Sequence, residues 1–78
     1  MKLNDYYSTP DLTLATVISL NYPIDSIEWI DKQRAVFYFL REDGLDDLVE
    51  SYWRRNLQIE PIQFANQLKV LKTRIRSA

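Results

Sequence analysis

The strongest constraint on this chain is what it lacks, because its 78 residues include no cysteine, no histidine and a single glycine. Without cysteine there is no disulfide and no thiolate metal site, so a hydrophobic core has to hold the fold together. Hydrophobic residues make up 46% of the chain and can supply that core. A chain this short is near the size at which one core is marginal, so we predict a single domain over residues 1–78 and expect a protein partner or a homo-oligomer.

The sequence also bears on location. The absence of cysteine fits a reducing cytoplasm. Residues 1–5 lack the basic and then apolar order of a secretion signal, and the longest uncharged stretch, residues 12–24, is too short to span a bilayer. We therefore expect a soluble, cytoplasmic protein that does not contact a membrane.

The first predicted helix begins near residues 8–11, Ser-Thr-Pro-Asp. Ser8 or Thr9 is the expected capping residue, because a side-chain hydroxyl there can accept from the free amides of the first turn. The helix should run to about Leu20, with apolar residues around most of its circumference, which predicts a largely buried helix. Residues 5–7 upstream are a candidate edge strand.

Residues 25–30 and 35–40 predict a β-hairpin with its turn within residues 31–34. A two-residue loop would place Glu28 on the face of the hairpin that carries the phenylalanines, since a slip of one residue moves every side chain to the other face. We favour a three-residue loop because it separates apolar from polar residues better. That register places five residues on one face: Ile27, Trp29, Ala35, Phe37 and Phe39.

Two amphipathic helices are predicted in the second half of the chain, one capped by Asp43 or Gly44 and one beginning at Pro61. The apolar stripe of the helix capped by Asp43 or Gly44 is Leu45, Leu48, Val49, Tyr52 and Trp53. The apolar stripe of the helix that begins at Pro61 is Phe64, Ala65, Leu68, Leu71 and Ile75. The result is a small α+β domain of order β-α-β-β-α-α, in which an antiparallel hairpin, with the edge strand as a candidate third strand, packs against three helices.

Four motifs follow one another along the chain: Ser-Thr-x-Asp-Leu at residues 8–12, Phe-x-Phe at 37–39, Tyr52-Trp53, and Pro-x-x-Phe-Ala at 61–65. Together they resemble a family of small bacterial α+β domains of unknown function. The resemblance spans nearly the whole chain and implies a stand-alone α+β unit. It supplies no activity, cofactor or catalytic residue.

The available side chains exclude most catalysis. Ser-His-Asp and Cys-His mechanisms need residue types that the chain lacks, and Gly44 alone cannot form a glycine-rich phosphate loop. The acids of residues 42–50 could bind Mg²⁺ or Ca²⁺, but acids at the start of a helix also offset its dipole, and we favour that interpretation. We expect no enzymatic activity, no cofactor, no metal and no small-molecule substrate.

Charge is distributed unevenly along the chain. Residues 1–50 hold four basic and ten acidic residues, a net charge of −6, whereas residues 51–78 hold six basic and one acidic residue, a net charge of +5. Such asymmetry can mark an anionic partner, although cations in the final turns of helices also offset the helix dipole. The candidate residues for binding nucleic acid or a partner are Arg54, Arg55, Lys69, Lys72, Arg76, Tyr38, Lys32 and Arg34.

These features favour a non-enzymatic accessory or adaptor domain that binds a larger protein or a protein–nucleic acid assembly. The alternative is a module that binds nucleic acid directly, without sequence preference, through the basic C-terminal helices. In the hairpin, Tyr38 is expected on the outer face beside Lys32 and Arg34, where it could stack on a base. The apolar candidates for a partner surface are Leu57, Ile59, Ile62 and Val70.

Overall fold

The computed structural model describes residues 5–77. Residues 1–4 and residue 78 lie outside this range. The expectation about a secretion signal depends mainly on residues 1–4. The chain forms an α+β fold with the predicted order β-α-β-β-α-α. Its elements are β1 (Tyr6–Thr9), α1 (Leu12–Ser19), β2 (Ser26–Trp29), β3 (Ala35–Leu40), α2 (Leu45–Trp53) and α3 (Pro61–Ser77).

The three strands form one antiparallel sheet of order β1-β3-β2, which confirms the candidate edge strand. Ile27 pairs with Phe37 and Trp29 with Ala35, so the favoured hairpin register is correct. Ile30 donates its N–H to the carbonyl of Arg34 at 2.9 Å, which closes a three-residue loop.

The start of α1 differs from the prediction. Ser8 and Thr9 belong to β1, where they pair with β3, and neither caps the helix. The capping residue is Asp11, whose Oδ1 accepts from the N–H groups of Thr13 at 3.0 Å and Leu14 at 3.3 Å. Pairing with β3 holds the backbone of Ser8 and Thr9 in the sheet, so the helix begins at Leu12, three residues after Thr9.

The core lies between α1 and one face of the sheet, which confirms that α1 is largely buried. Phe37 and Phe39 from β3 meet Leu14 and Ile18 from α1, and Leu71 of α3 is fully buried in the same cluster. α1 packs against both α2 and α3. α1 is therefore the central helix of the three.

The apolar stripes of α2 and α3 are shorter than predicted. Trp53 is 62% exposed, and Ala65 is exposed as well. Both lie at the margin of their stripes, and α2 ends at Trp53, so no described element covers the indole. Leu45 at the start of α2 is fully buried, next to Gly44, which occupies the capping position with φ +88°.

No helix within residues 5–77 has both the length and the apolar character needed to cross a membrane.

Candidate interaction surfaces

Within residues 5–77, the helices pack against only one face of the three-stranded sheet. Because Phe37 and Phe39 point into the core, the alternate residues of β3 point away from it, together with their partners on β1 and β2. We call this surface the outer sheet face, and it consists of Tyr6, Ser8, Ser26, Glu28, Ile30, Val36, Tyr38 and Leu40. Ile30 is 55% exposed and Leu40 is 43% exposed, so the face presents uncovered aliphatic surface.

Tyr38 lies at the centre of the outer sheet face, between its partners on β1 and β2. The sequence predicts that Tyr38 lies on this face, because it alternates with Phe37 and Phe39. Its partners on the two neighbouring strands are Ser8 and Ser26, which have small side chains, and Tyr38 itself is half-buried. The Tyr38 hydroxyl donates to Glu28 Oε1 at 3.2 Å. This hydrogen bond, together with desolvation and the charge of Glu28, raises the pKa of Tyr38 above its usual value.

The surroundings of Tyr38 are acidic. A shallow cavity of about 520 Å³ is lined by Tyr6, Ser26 and Tyr38 together with the carboxylate-bearing residues Asp25 and Glu28. Neither acid forms an ion pair within residues 5–77. The negative potential here repels phosphate, so the outer sheet face suits a cationic partner better than a nucleic acid.

The two cations of the hairpin turn are not grouped around Tyr38. Arg34 Nε donates to Asp31 Oδ2 at 2.8 Å, while Asp31 Oδ1 accepts from the backbone N–H groups of Gln33 and Arg34 at 2.9 Å each. These hydrogen bonds, that from Gln33 first, lower the pKa of Asp31. Lys32 instead lines a cleft with Trp29, whose side chain belongs to the opposite face of the sheet.

This cleft, which we call the Trp29 cleft, has a volume of about 760 Å³ and lies between the hairpin turn and the end of α3. Its lining residues are Trp29, Asp31, Lys32, Gln33, Ile75 and Arg76. The sequence prediction assigned Trp29 to the core face without a further role. No local signal places the end of the last helix beside the hairpin turn, more than 40 positions away in sequence; the 17-residue α3 carries Ile75 and Arg76 there.

The three basic candidates on α3 share one flank of the helix. Lys69, Lys72 and Arg76 follow at spacings of three and four residues, all are exposed, and none forms an ion pair within residues 5–77. Seven residues of helix separate Lys69 from Arg76 by about 10 Å.

Arg54 and Arg55 lie at the end of α2, apart from that basic flank. Arg54 pairs with Glu50 at 3.0 Å. Arg55 has φ +61° and lines a cavity of about 480 Å³ beside Pro61 and Phe64, in the first turn of α3. Lys72 and Arg76 stand about 17 and 23 Å further along α3 from Pro61, so the five basic candidates form a dispersed surface and not one site.

The four apolar candidates fall into two groups. Ile62 and Val70 are 68% and 48% exposed on α3. Leu57 and Ile59 are half-buried, because they line the same cavity as Arg55. Trp53, which was assigned to the core, is exposed instead, and its ring meets that of Tyr52 edge to face at 5.1 Å.

The acids of residues 42–50 are partly engaged in ion pairs. Asp46 pairs with Arg41 at 3.2 Å, and Glu50 pairs with Arg54. Within the described part of the chain, no group of three or more acids could hold a metal ion. Asp46 and Asp47 lie in the first turn of α2, where their charges offset the helix dipole.

Comparison with known proteins agrees with the resemblance in the sequence at the level of the family. No curated protein and no solved structure gives a significant match. One family model matches residues 4–77, which is nearly the whole chain. The protein therefore belongs to the DUF5659 family, a domain of unknown function.

Proposed function

We propose that this protein is a non-enzymatic adaptor domain that binds a larger protein through the outer sheet face. The observation that carries the proposal is the uncovered face itself, with Tyr38 at its centre and helices on the other side of the sheet only. Contiguous exposed apolar surface marks protein interaction sites more often than chance allows. Tyrosine is also among the residues that contribute most to binding at such sites.

The charge of the face defines the chemistry of the partner. Asp25 and Glu28 form no ion pair among the described residues, so a complementary surface would place lysine or arginine opposite them, around an apolar centre. Two copies of this chain that met through the same face would bring like charges together. This disfavours a symmetric homodimer and favours a different protein whose interaction surface is apolar and basic.

A basic partner surface is typical of proteins that also contact nucleic acid, so the subunits of a protein–nucleic acid assembly fit this description. The cytoplasmic location and the bacterial source expected from the sequence belong to the same proposal. The adaptor would act by positioning, without chemistry of its own.

Site-directed photocrosslinking in the organism that produces the protein tests the proposal. Tyr38 is replaced by the photoreactive analogue p-benzoylphenylalanine, which keeps an aromatic ring at the centre of the outer sheet face. The matched control carries the same analogue at Gln63, an exposed residue of α3. We expect a protein adduct of discrete mass from position 38, resistant to nuclease, and none from position 63.

A charge reversal then links the adduct to the face. Glu28→Lys should reduce the yield of the adduct at position 38 severalfold, because it places a cation against the basic partner. Lys69→Glu, on the exposed flank of α3, should leave the yield unchanged. Three outcomes would contradict the proposal. They are equal adduct yields from positions 38 and 63, loss of the adduct on nuclease treatment, and an adduct yield that Glu28→Lys does not change.

A further inference from the structure

The Trp29 cleft combines an aromatic ring with cations from two separate elements. Trp29 comes from β2, Lys32 from the hairpin turn and Arg76 from the last turns of α3, and Ile75 adds apolar surface. The cleft is open to solvent and has a volume of about 760 Å³, which is large enough for a nucleobase and its phosphate.

The charges around the cleft are net positive. Asp31 is the one acid in the lining, and its two oxygens accept from Arg34 and from the backbone amides of the turn. Its charge is offset by that of Arg34, and neither Lys32 nor Arg76 forms an ion pair within residues 5–77. Lys72 stands one helical turn before Arg76 on the same flank and extends the positive potential along α3.

An aromatic ring flanked by cations is the combination with which proteins hold single-stranded nucleic acid. Bases stack on the ring and the cations neutralise the backbone, whereas a duplex keeps its base faces hidden. An acidic peptide would use the cations but not the indole. We propose that the Trp29 cleft binds single-stranded nucleic acid, with a base stacked on Trp29 and phosphates held by Lys32 and Arg76.

This site differs from the nucleic-acid surface expected from the sequence. The stacking residue is Trp29 and not Tyr38, and Arg54 and Arg55 take no part. The cleft and the outer sheet face lie on opposite faces of the sheet. The nucleic-acid site and the adaptor function can therefore be tested independently of each other.

Fluorescence of Trp29 measures binding directly. The Trp53→Phe variant removes the second indole at an exposed position and leaves Trp29 as the only tryptophan. Titration with a 12-nucleotide oligothymidine should quench its emission. Neutralisation of two phosphates on a single strand predicts a slope of about −1.4 in log affinity against log salt, or roughly a sevenfold loss of affinity between 50 and 200 mM salt.

Three charge-neutralising substitutions in this variant locate the site. Lys32→Gln and Arg76→Gln should each make the slope of log affinity against log salt less steep by about 0.7, because each removes the neutralisation of one phosphate. Arg74→Gln is the matched control, because Arg74 is exposed in the same last turn but lies about 200° around the helix from Arg76. Its salt slope should equal that of the parent.

Several results would overturn the assignment. The first is an absence of quenching of Trp29 emission by oligothymidine. The second is an equal loss of affinity for oligothymidine in Arg74→Gln and Arg76→Gln. The third is an affinity for a duplex of the same length, or for a polyglutamate peptide, equal to that for oligothymidine. The adduct at position 38 reports on the outer sheet face and is read independently, so a failure of one site is not mistaken for a failure of the other.

Discussion

The hydroxyl of Tyr38 donates a hydrogen bond to Glu28 Oε1 at 3.2 Å across two strands of the outer sheet face. Tyr38 pairs directly with Ser26, and Glu28 lies two residues further along β2, so the contact is a diagonal one between neighbouring strands. The hydrogen bond joins the aromatic surface of the face to its negative charge. Both features of the proposed interaction surface are thereby held in place before a partner arrives.

The Tyr38 to Glu28 contact predicts a change in titration. Glu28→Gln removes the carboxylate that raises the pKa of Tyr38, so this pKa should fall towards the usual 10.0. NMR titration of the Tyr38 ring carbon that bears the hydroxyl measures it. Tyr7 is the control, because burial is the main reason its pKa is raised, and its value should not change. A Tyr38 pKa equal in both proteins would mean that the contact does not exist in solution.

The turn before α2 requires glycine. Gly44 has φ +88°, and a Cβ there would stand 2.8 Å from the hydroxyl oxygen of Tyr22, which donates to the carbonyl of Asp43. Gly44→Ala should reduce the free energy of unfolding by about 2 kcal/mol, from the left-handed backbone and the disturbed hydrogen bond. Urea denaturation measures the loss.

A double mutant separates these two causes. Tyr22→Phe alone should cost about 1 kcal/mol through the lost hydrogen bond. In the Gly44→Ala background it should cost less, because it also removes the atom that the new Cβ would meet. Simple additivity of the two losses would show that Tyr22 and position 44 do not interact.

The cap of α1 gives a third prediction. Asp11→Ala should cost about 1 kcal/mol, because two amides of the first turn lose their acceptor. Ser8→Ala should cost less than about 0.5 kcal/mol, since the Ser8 side chain is exposed and forms no hydrogen bond within residues 5–77. Thermal unfolding of the two variants checks this, and a larger loss from Ser8→Ala would restore Ser8 as the cap.

Leu71 secures α3 to the core, and its neighbour Val70 is 48% exposed. Leu71→Ala should cost about 2 to 5 kcal/mol through lost burial and the cavity left behind, close to the whole stability of a small domain. Val70→Ala should change the stability by less than about 1 kcal/mol. The urea midpoints of the two variants measure the difference, and comparable losses would mean that α3 does not pack through Leu71.

Much of the fold could be predicted from local patterns. The alternation in residues 35–40 favoured the observed hairpin register, because a three-residue loop, unlike a two-residue loop, places Phe37 and Phe39 on the same face as Ile27. The start of α1 could not be predicted in the same way. Ser8 and Thr9 suit a helix cap and a strand equally, and pairing with residues about 30 positions away decides between them.

The candidate sites were harder to predict. Tyr38 was placed correctly on the outer face, because that follows from the register alone. The Trp29 cleft joins residues more than 40 positions apart, and neither the aromatic nor Arg76 reveals it locally. Trp53 matched the apolar stripe of α2 by spacing, but α2 packs on α1 and ends at that residue, so the indole stays exposed.

Binding of a protein to the outer sheet face can be measured by ¹⁹F NMR of the chain labelled with 3-fluorotyrosine. Its five tyrosines report on different surfaces, and each signal is assigned by replacement with phenylalanine. On addition of the protein recovered from the adduct at position 38, the signals of Tyr6 and Tyr38 should shift or broaden while those of Tyr22 and Tyr52 remain unchanged. Changes at Tyr22 or Tyr52 with Tyr6 and Tyr38 unaffected would contradict the account.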